Sequence, residues 1–391
     1  MGKITSRNTI PVNTIADTDI FLISKDNGDG TFTSYKVTGS QMKSNFKGLS
    51  NFTEGVNTTS PNNTVNVTFL SANTSSTNGD FVIKPKGTGA ILAQIPDNTT
   101  TGGNKRGTGA VDLQMTRAVA SQVASGNYSF VVGRQSTASG TYGVALGDRG
   151  AATAEGAFGV QEGVASGLKS FAFGTRTTAS GTGAVAMSSN VYNDCIASGD
   201  NSFALGPGNT ASGNRSCAIG GSSNTASGSN SYARGVLAST LSITGRDSYG
   251  YGIGNNVWGE TQKSNFVLGV RTTGNTATTV TVGGGAASST NQVILSNQSA
   301  YRFKGTIIGK QSGSTNVAAW DVDGLIVRGA NAAATTLVVS NVNLVSNTPA
   351  WGTPTLAADT TNGGLRVQVT GATSTNIQWT AVIETTEVIY A

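Results

Sequence analysis

A chain of 391 residues could hold two or three compact domains, but 53 glycines and only 12% charged residues do not suit an ordinary globule. Its apolar residues reach 37% and sit in ordered alternation, which argues against a disordered low-complexity chain. The formal charge of +5 contains no dense basic run, Lys105–Arg106 coming closest, so no nucleic-acid partner is expected.

The chain has no histidine, and so lacks the commonest metal ligand and the commonest general base. No metal, no cofactor and no catalytic residue is expected. Two cysteines, Cys195 and Cys217, are too few for a disulfide framework. The opening MGKITSRNTIPVNT has no apolar stretch of the kind a secretory signal needs, and nothing reaches membrane-spanning length. The expectation is a protein made in the cytoplasm, with no membrane insertion.

Residues 1–50 read as a small unit. DIFLIS and TFTSYKVT alternate as two strands around an Asn27-Gly28-Asp29-Gly30 turn, and QMKSNF follows as a short helix capped by Ser40. The DNGDG turn has a faint likeness to a calcium loop, but Gly28 breaks that pattern and a hairpin turn is the better reading. Residues 51–119 are a β-rich shaft or transition, with alternation in TVNVTFL and DFVIKP.

Residues 120–270 are repetitive. Ala-Ser-Gly begins at Ala124, Ala138, Ala165, Ala179, Ala197, Ala211 and Ala226, with spacings of 14, 27, 14, 18, 14 and 15. The long gap holds a degenerate copy, Ala154-Glu155-Gly156. An apolar–x–apolar unit follows each triplet, as in FVVG, VALG, FAFG, FALG and CAIG, and looser copies (SYGYG, NFVLG) reach about residue 270. A fixed period with glycine in phase marks a solenoid. Fourteen residues fit two short strands and two tight turns, where glycine accepts positive φ. Glycine at this density would cost a helix about 1 kcal/mol per site.

Period-2 alternation puts Phe130, Val144, Phe171, Phe203 with Leu205, and Cys217 with Ile219 on one face, read as the core of the roll. Cys217 is then a small core residue, and Arg234 marks a coil near a bend or a ligand. The other face carries alanine in coil after coil, from Ala145 to Ala233. A small apolar second face implies that it too is covered, and packing of identical chains around an axis would cover it. Residues 271–300, rich in Thr, Gly and Ser, read as a neck. Residues 301–391 read as a C-terminal antiparallel β-domain with three of the four tryptophans.

ASGDNSFALGPGNT (197–210) resembles the head repeats of trimeric autotransporter adhesins, which are homotrimers of left-handed parallel β-rolls. The resemblance covers about residues 120–270. Neither a signal peptide nor heptads accompany it, which points away from the autotransporters themselves. Residues 84–126 resemble a segment that precedes such repeats in phage tail-fibre proteins. IADTDIFLIS…YKVTGSQMKSNF resembles the virion-docking start of phage fibre subunits, and AAWDVDGLIVRG and GGLRVQVTGATSTNIQWTAVIETTEV resemble their terminal domains. These resemblances imply an all-β homotrimeric virion fibre that is not an enzyme. It would dock to other virion proteins by its N-terminus and meet a host-surface glycan or protein at its distal end. A head or neck decoration without a receptor, or a polysaccharide-degrading tailspike, are the alternatives.

A tailspike would need a carboxylate pair across a sugar. Asp321 with Asp323, and Glu384 with Glu387, are the candidates, and solvation at turns and strand edges is their plainer reading. Trp320 and Trp351 are candidate receptor contacts, since tryptophan on loops stacks against sugars; as residues beside strands they are equally expected in a core. Trp379, which alternates with Ile377 and Ala381, is expected in the core or the trimer interface.

Overall fold

The computed structural model describes residues 16, 18, 20–38, 52–60, 64–65, 67–72, 77–253 and 257–390. It is all-β: a parallel β-solenoid of about 14 residues per turn followed by an antiparallel β-domain. The chain divides into two compact units, Met1–Lys84 and Pro85–Ala391.

In the first unit Ile20–Asp26 pairs antiparallel with Phe32–Thr38, as the alternation predicts. Gly28 and Gly30 take positive φ in the turn, and the Thr31 N–H and Oγ1 donate to Asp29 Oδ1 at 2.9 and 2.5 Å. These bonds, the side-chain one first, hold the exposed Asp29 carboxyl below its ordinary pKa. The turn therefore closes a hairpin. A second hairpin joins Phe52–Asn57 to Val67–Ala72. The helix expected over QMKSNF lies outside the described residues. DFVIKP forms no strand, and Phe81, Val82 and Ile83 are exposed.

In the second unit the parallel ladder starts earlier than the repeats suggest, with Ile91–Leu92 and Val111–Asp112 stacked beneath Phe130–Arg134. Each later coil adds one rung to each of two sheets. Phe203–Leu205 stacks on Val185–Met187 and beneath Cys217–Ser222 in one, and Thr210–Ala211 lies between Cys195–Ala197 and Thr225–Ala226 in the other. The 27-residue gap contains a full coil, Phe158–Val160, paired on both sides. The extra residues of the 18-residue spacing form a loop at 188–194, outside both sheets.

Glycine serves the two corners of a coil differently. After the longer strand, Gly133, Gly147, Gly174, Gly206 and Gly235 have positive φ, as expected. At the triplet the reason is crowding: a Cβ on Gly199 would lie 2.1 Å from Gly213 O, and Gly126, Gly167, Gly181 and Gly213 meet the next coil in the same way. Here the positive φ falls two residues later, at Tyr128, Asn201 and Arg215. Ser202 N–H closes that turn on Gly199 O at 3.1 Å.

The face assignment is reversed. Ala145, Ala172, Ala186, Ala204, Ala218 and Ala233 line the inside of the roll, facing a second column formed by the alanines of the triplets, and all are fully buried. Phe130, Val144, Phe171, Phe203, Leu205, Cys217 and Ile219 point outward and are half-buried or exposed in the single chain. Two strands joined by corners this tight leave room between them for methyl groups only. The larger side chains must therefore take the outer face.

The last parallel rung is Asp247–Gly250. Its neighbour Thr261–Thr272 runs antiparallel, so NFVLG belongs to the terminal domain and not to a coil. That strand pairs with Ile377–Ile389, then Ser299–Gln311, Val317–Arg328 and Thr335–Asn347, continuing the solenoid sheet without a break. The expected neck at 271–300 is instead part of this domain. Ala277–Thr279 and Val293–Ile294 pair with Gly364–Thr370, and Val280, Val293 and Leu295 are in its core.

Candidate functional site, the outer face of the long sheet

Alternation gives the long sheet one inner and one outer side, and parallel stacking keeps like residues in columns along the outer one. Over the coils this side is apolar: Phe130 is 36% exposed, Phe173 44% and Leu205 41%, with Val144, Leu146, Phe158, Phe171, Val185 and Phe203 half-buried among them. Phe158 and Phe171 stack at 5.1 Å between ring centroids, and Tyr128 and Tyr142 stack at 5.6 Å on the adjoining corner. Cys217 continues the stripe, and burial pushes its thiol pKa up. Cys195, the first residue of Cys195–Ala197, lies inside the roll, where burial raises its pKa to about 11. Both cysteines are free.

The stripe ends at Arg234. Its guanidinium lies 5.5 and 5.9 Å from the Tyr232 and Tyr249 rings and reaches Asp247 at 3.2 Å, so this last regular coil marks a change of surface. Beyond it the same side carries ion pairs alongside the exposed apolar residues Val267, Ile308 and Val382. Lys263 meets Glu384 at 2.7 Å, Lys304 meets Glu384 at 3.2 Å, and Arg302 meets Asp323 at 2.7 Å. The bond from Lys263, then that from Lys304, holds the Glu384 carboxyl below its ordinary pKa. Asp321 accepts from Thr306 Oγ1 at 3.0 Å. Of the four candidate carboxylates, Glu387 alone is buried. It pairs with Arg246 at 2.5 Å and accepts from Gln262 Nε2 at 2.7 Å.

Trp320 and Trp351 are not receptor contacts. They are 1% and 6% exposed and pack on Trp379 at centroid distances of 6.1 and 5.4 Å, within the core of the terminal domain. Trp379 is also core, and its Nε1 donates to Thr272 Oγ1 at 2.9 Å. Trp320 and Trp379 take inward positions on Val317–Arg328 and Ile377–Ile389, whereas Trp351 lies just before Gly352–Asp359 and is held inward by Asn347, whose Oδ1 accepts from the Trp351 N–H at 2.9 Å. Trp258, which sequence reasoning did not single out, is the exposed tryptophan, its Nε1 donating to Ser223 O at 2.7 Å. Near the ends of Thr261–Thr272, Ser299–Gln311 and Ile377–Ile389 an open cleft of about 790 Å³ is lined by Arg271, Ile308, Lys310, Gln311, Asn376 and Gln378, among others.

Among the described residues no cluster of acidic or sulfur ligands could hold a metal ion, and no helix is long and apolar enough to cross a membrane.

The YadA head domain repeat family matches residues 124–149, 165–187 and 197–223. These are coils of the solenoid, and it is these coils that are similar to that repeat. No curated protein sequence matches the chain. Among solved structures, a tailspike protein of Acinetobacter baumannii bacteriophage Fri1, a capsular polysaccharide depolymerase, aligns over 76% of this chain and 52% of its own at 11% identity, with a TM-score of 0.25. This chain thus spans about half the length of that structure.

Proposed function

We propose that the chain is the subunit of a homotrimeric fibre of a bacteriophage particle, docked by residues 1–50 to other virion proteins and meeting the host surface with its C-terminal domain. The outward stripe of Phe, Val and Leu on the coils carries the reading. Moving one such side chain out of water is worth about 1.5–3 kcal/mol, and in a single chain the stripe stays partly wet. A second and third copy around an axis would cover it, as in the trimeric adhesin heads whose repeats these coils match. The resemblance of residues 84–126 and of the N-terminal stretch to phage fibre proteins supports the particle and the polarity.

The fibre acts by binding and not by hydrolysis. A glycosidase acid needs a carboxyl with a raised pKa near a second carboxyl. Glu384 and Asp323 are instead bound to cations, and Glu387 is sealed beneath the sheet.

The test is sedimentation of the intact chain together with its position on particles by immunogold labelling. A trimer at micromolar concentration, found on tails, is expected. A monomer would sink the reading, and labelling of the head or neck alone would leave a decoration fibre in its place.

A further inference from the structure

We propose that the cleft beside Arg271 and Lys310 binds a saccharide bearing a carboxylate. The inference rests on the reading of the C-terminal domain as the end that meets the host. On the outer side of the terminal sheet, Lys263, Arg302 and Lys304 are each neutralised by a carboxylate. Arg271 and Lys310, on the same side, are not. Arg271 Nε reaches the amide oxygen of Gln378 at 3.4 Å, and Lys310 Nζ bonds the backbone oxygens of Gln311, at 3.1 Å, and Ser314. Two unbalanced cations therefore face one cleft of about 790 Å³, within the size of a small-molecule site.

The rest of the lining selects the class of anion. Gln311, Asn376, Gln378 and several threonines offer donors and acceptors together, as ring hydroxyls require. Ile308 supplies a short apolar floor, with no deep pocket for the side chains of an acidic peptide. A guanidinium fork suits the two oxygens of a carboxylate. The cleft also lies clear of the apolar stripe. Arg271 is six residues along its strand from Asn265, the nearest partner of the final coil, about 20 Å at strand spacing.

The experiment applies the intact chain to an array of immobilised oligosaccharides, neutral, carboxylated, sulfated and phosphorylated, alongside the double variant Arg271→Gln/Lys310→Gln. Both residues are exposed, so the variant should keep the parent's unfolding midpoint. Signals confined to carboxylated sugars, weakened roughly tenfold or more in the variant and by rising salt, are expected. Binding to neutral, sulfated or phosphorylated sugars alone, binding that survives in the variant, or no binding to any sugar would overturn the proposal. A chain that is trimeric yet binds no sugar defeats this inference and leaves the fibre reading standing, whereas a monomeric chain defeats the fibre reading whatever the array shows.

Discussion

At the scale of single residues, the triplet glycines hold the coils at their spacing because nothing larger than hydrogen fits against the neighbouring carbonyl. Gly199→Ala should therefore lower stability by about 2–4 kcal/mol. Gly274→Ala, where an added Cβ meets nothing within 4 Å, should be close to neutral. Comparison of the two denaturant midpoints checks this. Asp359 gives a pH-dependent counterpart. Burial pushes its carboxyl pKa up, but bonds from Asn362, Gln292 and the Thr361 backbone outweigh this and hold it below the ordinary 3.8. Its contribution to stability is thus fully present above the unfolded-state value and lost as pH falls through the lower folded-state one. Asp359→Asn should flatten the acid limb of the stability curve below about pH 4, and an unchanged limb would contradict the assignment. Alternation showed that alanine and phenylalanine lie on opposite sides of a strand, but it is blind to which side is inside. The width between the sheets decides that, and it depends on corner geometry that no single residue displays.

The elements at the two ends of the solenoid are closed by buried charge. At the first rungs Asp112 binds Arg106 at 2.7 Å and Arg117 at 3.3 Å, and the two guanidinium groups also bond backbone oxygens of the segment 101–122. At the last rung Arg246 and Glu387 lie fully beneath the terminal sheet, with Ser264, Gln262 and Thr385 among their hydrogen-bond partners. Removing one partner strands the other, so Arg246→Ala should cost about 3–5 kcal/mol, while Arg246→Met with Glu387→Leu should recover most of it. A double variant as unstable as the single one would show that the pair does more than neutralise itself. Glu387 looked like a solvated strand-edge charge in the sequence, because its partner Arg246 lies 141 residues away and is brought to it by the stacking of strands. The strands were more legible. GLIVRG, TTLVVSNVNLV, LRVQVTG and the last alternating run all appear as strands, since each alternates strongly enough to declare itself. The supposed neck was misread because short polar strands such as Ala277–Thr279 gain their order from one long partner.

For the whole molecule, the reversed faces change what a charge at Phe203 should do. Phe203→Asp with Leu205→Asp should leave the coils folded, with β-type circular dichroism kept, and shift sedimentation from trimer toward monomer. A cooperative loss of β-structure in this variant would return the residues to the inside of the roll. A chain lacking residues 1–84 should likewise still fold, since Pro85–Ala391 is a compact unit of its own, and should be missing from particles. Recovery of that chain on particles would place the docking surface elsewhere. The uniformity of the rungs has a further consequence, for length. Phe203 stands over Cys217 and Ala204 over Ala218 with a 14-residue step between them, so any coil can in principle be exchanged for its neighbour. Excision of residues 200–213 joins one rung to the next in phase and should shorten the fibre by about 4.8 Å while leaving both ends intact. Excision of a half-coil would keep alanine over alanine, which here recurs every seven residues from Ala197 to Ala218, but would exchange the two sheets above the cut and bring Cys217 into the column of Thr210. Fibre reach is then a quantity adjustable in whole coils, independent of whatever the two ends are built to hold.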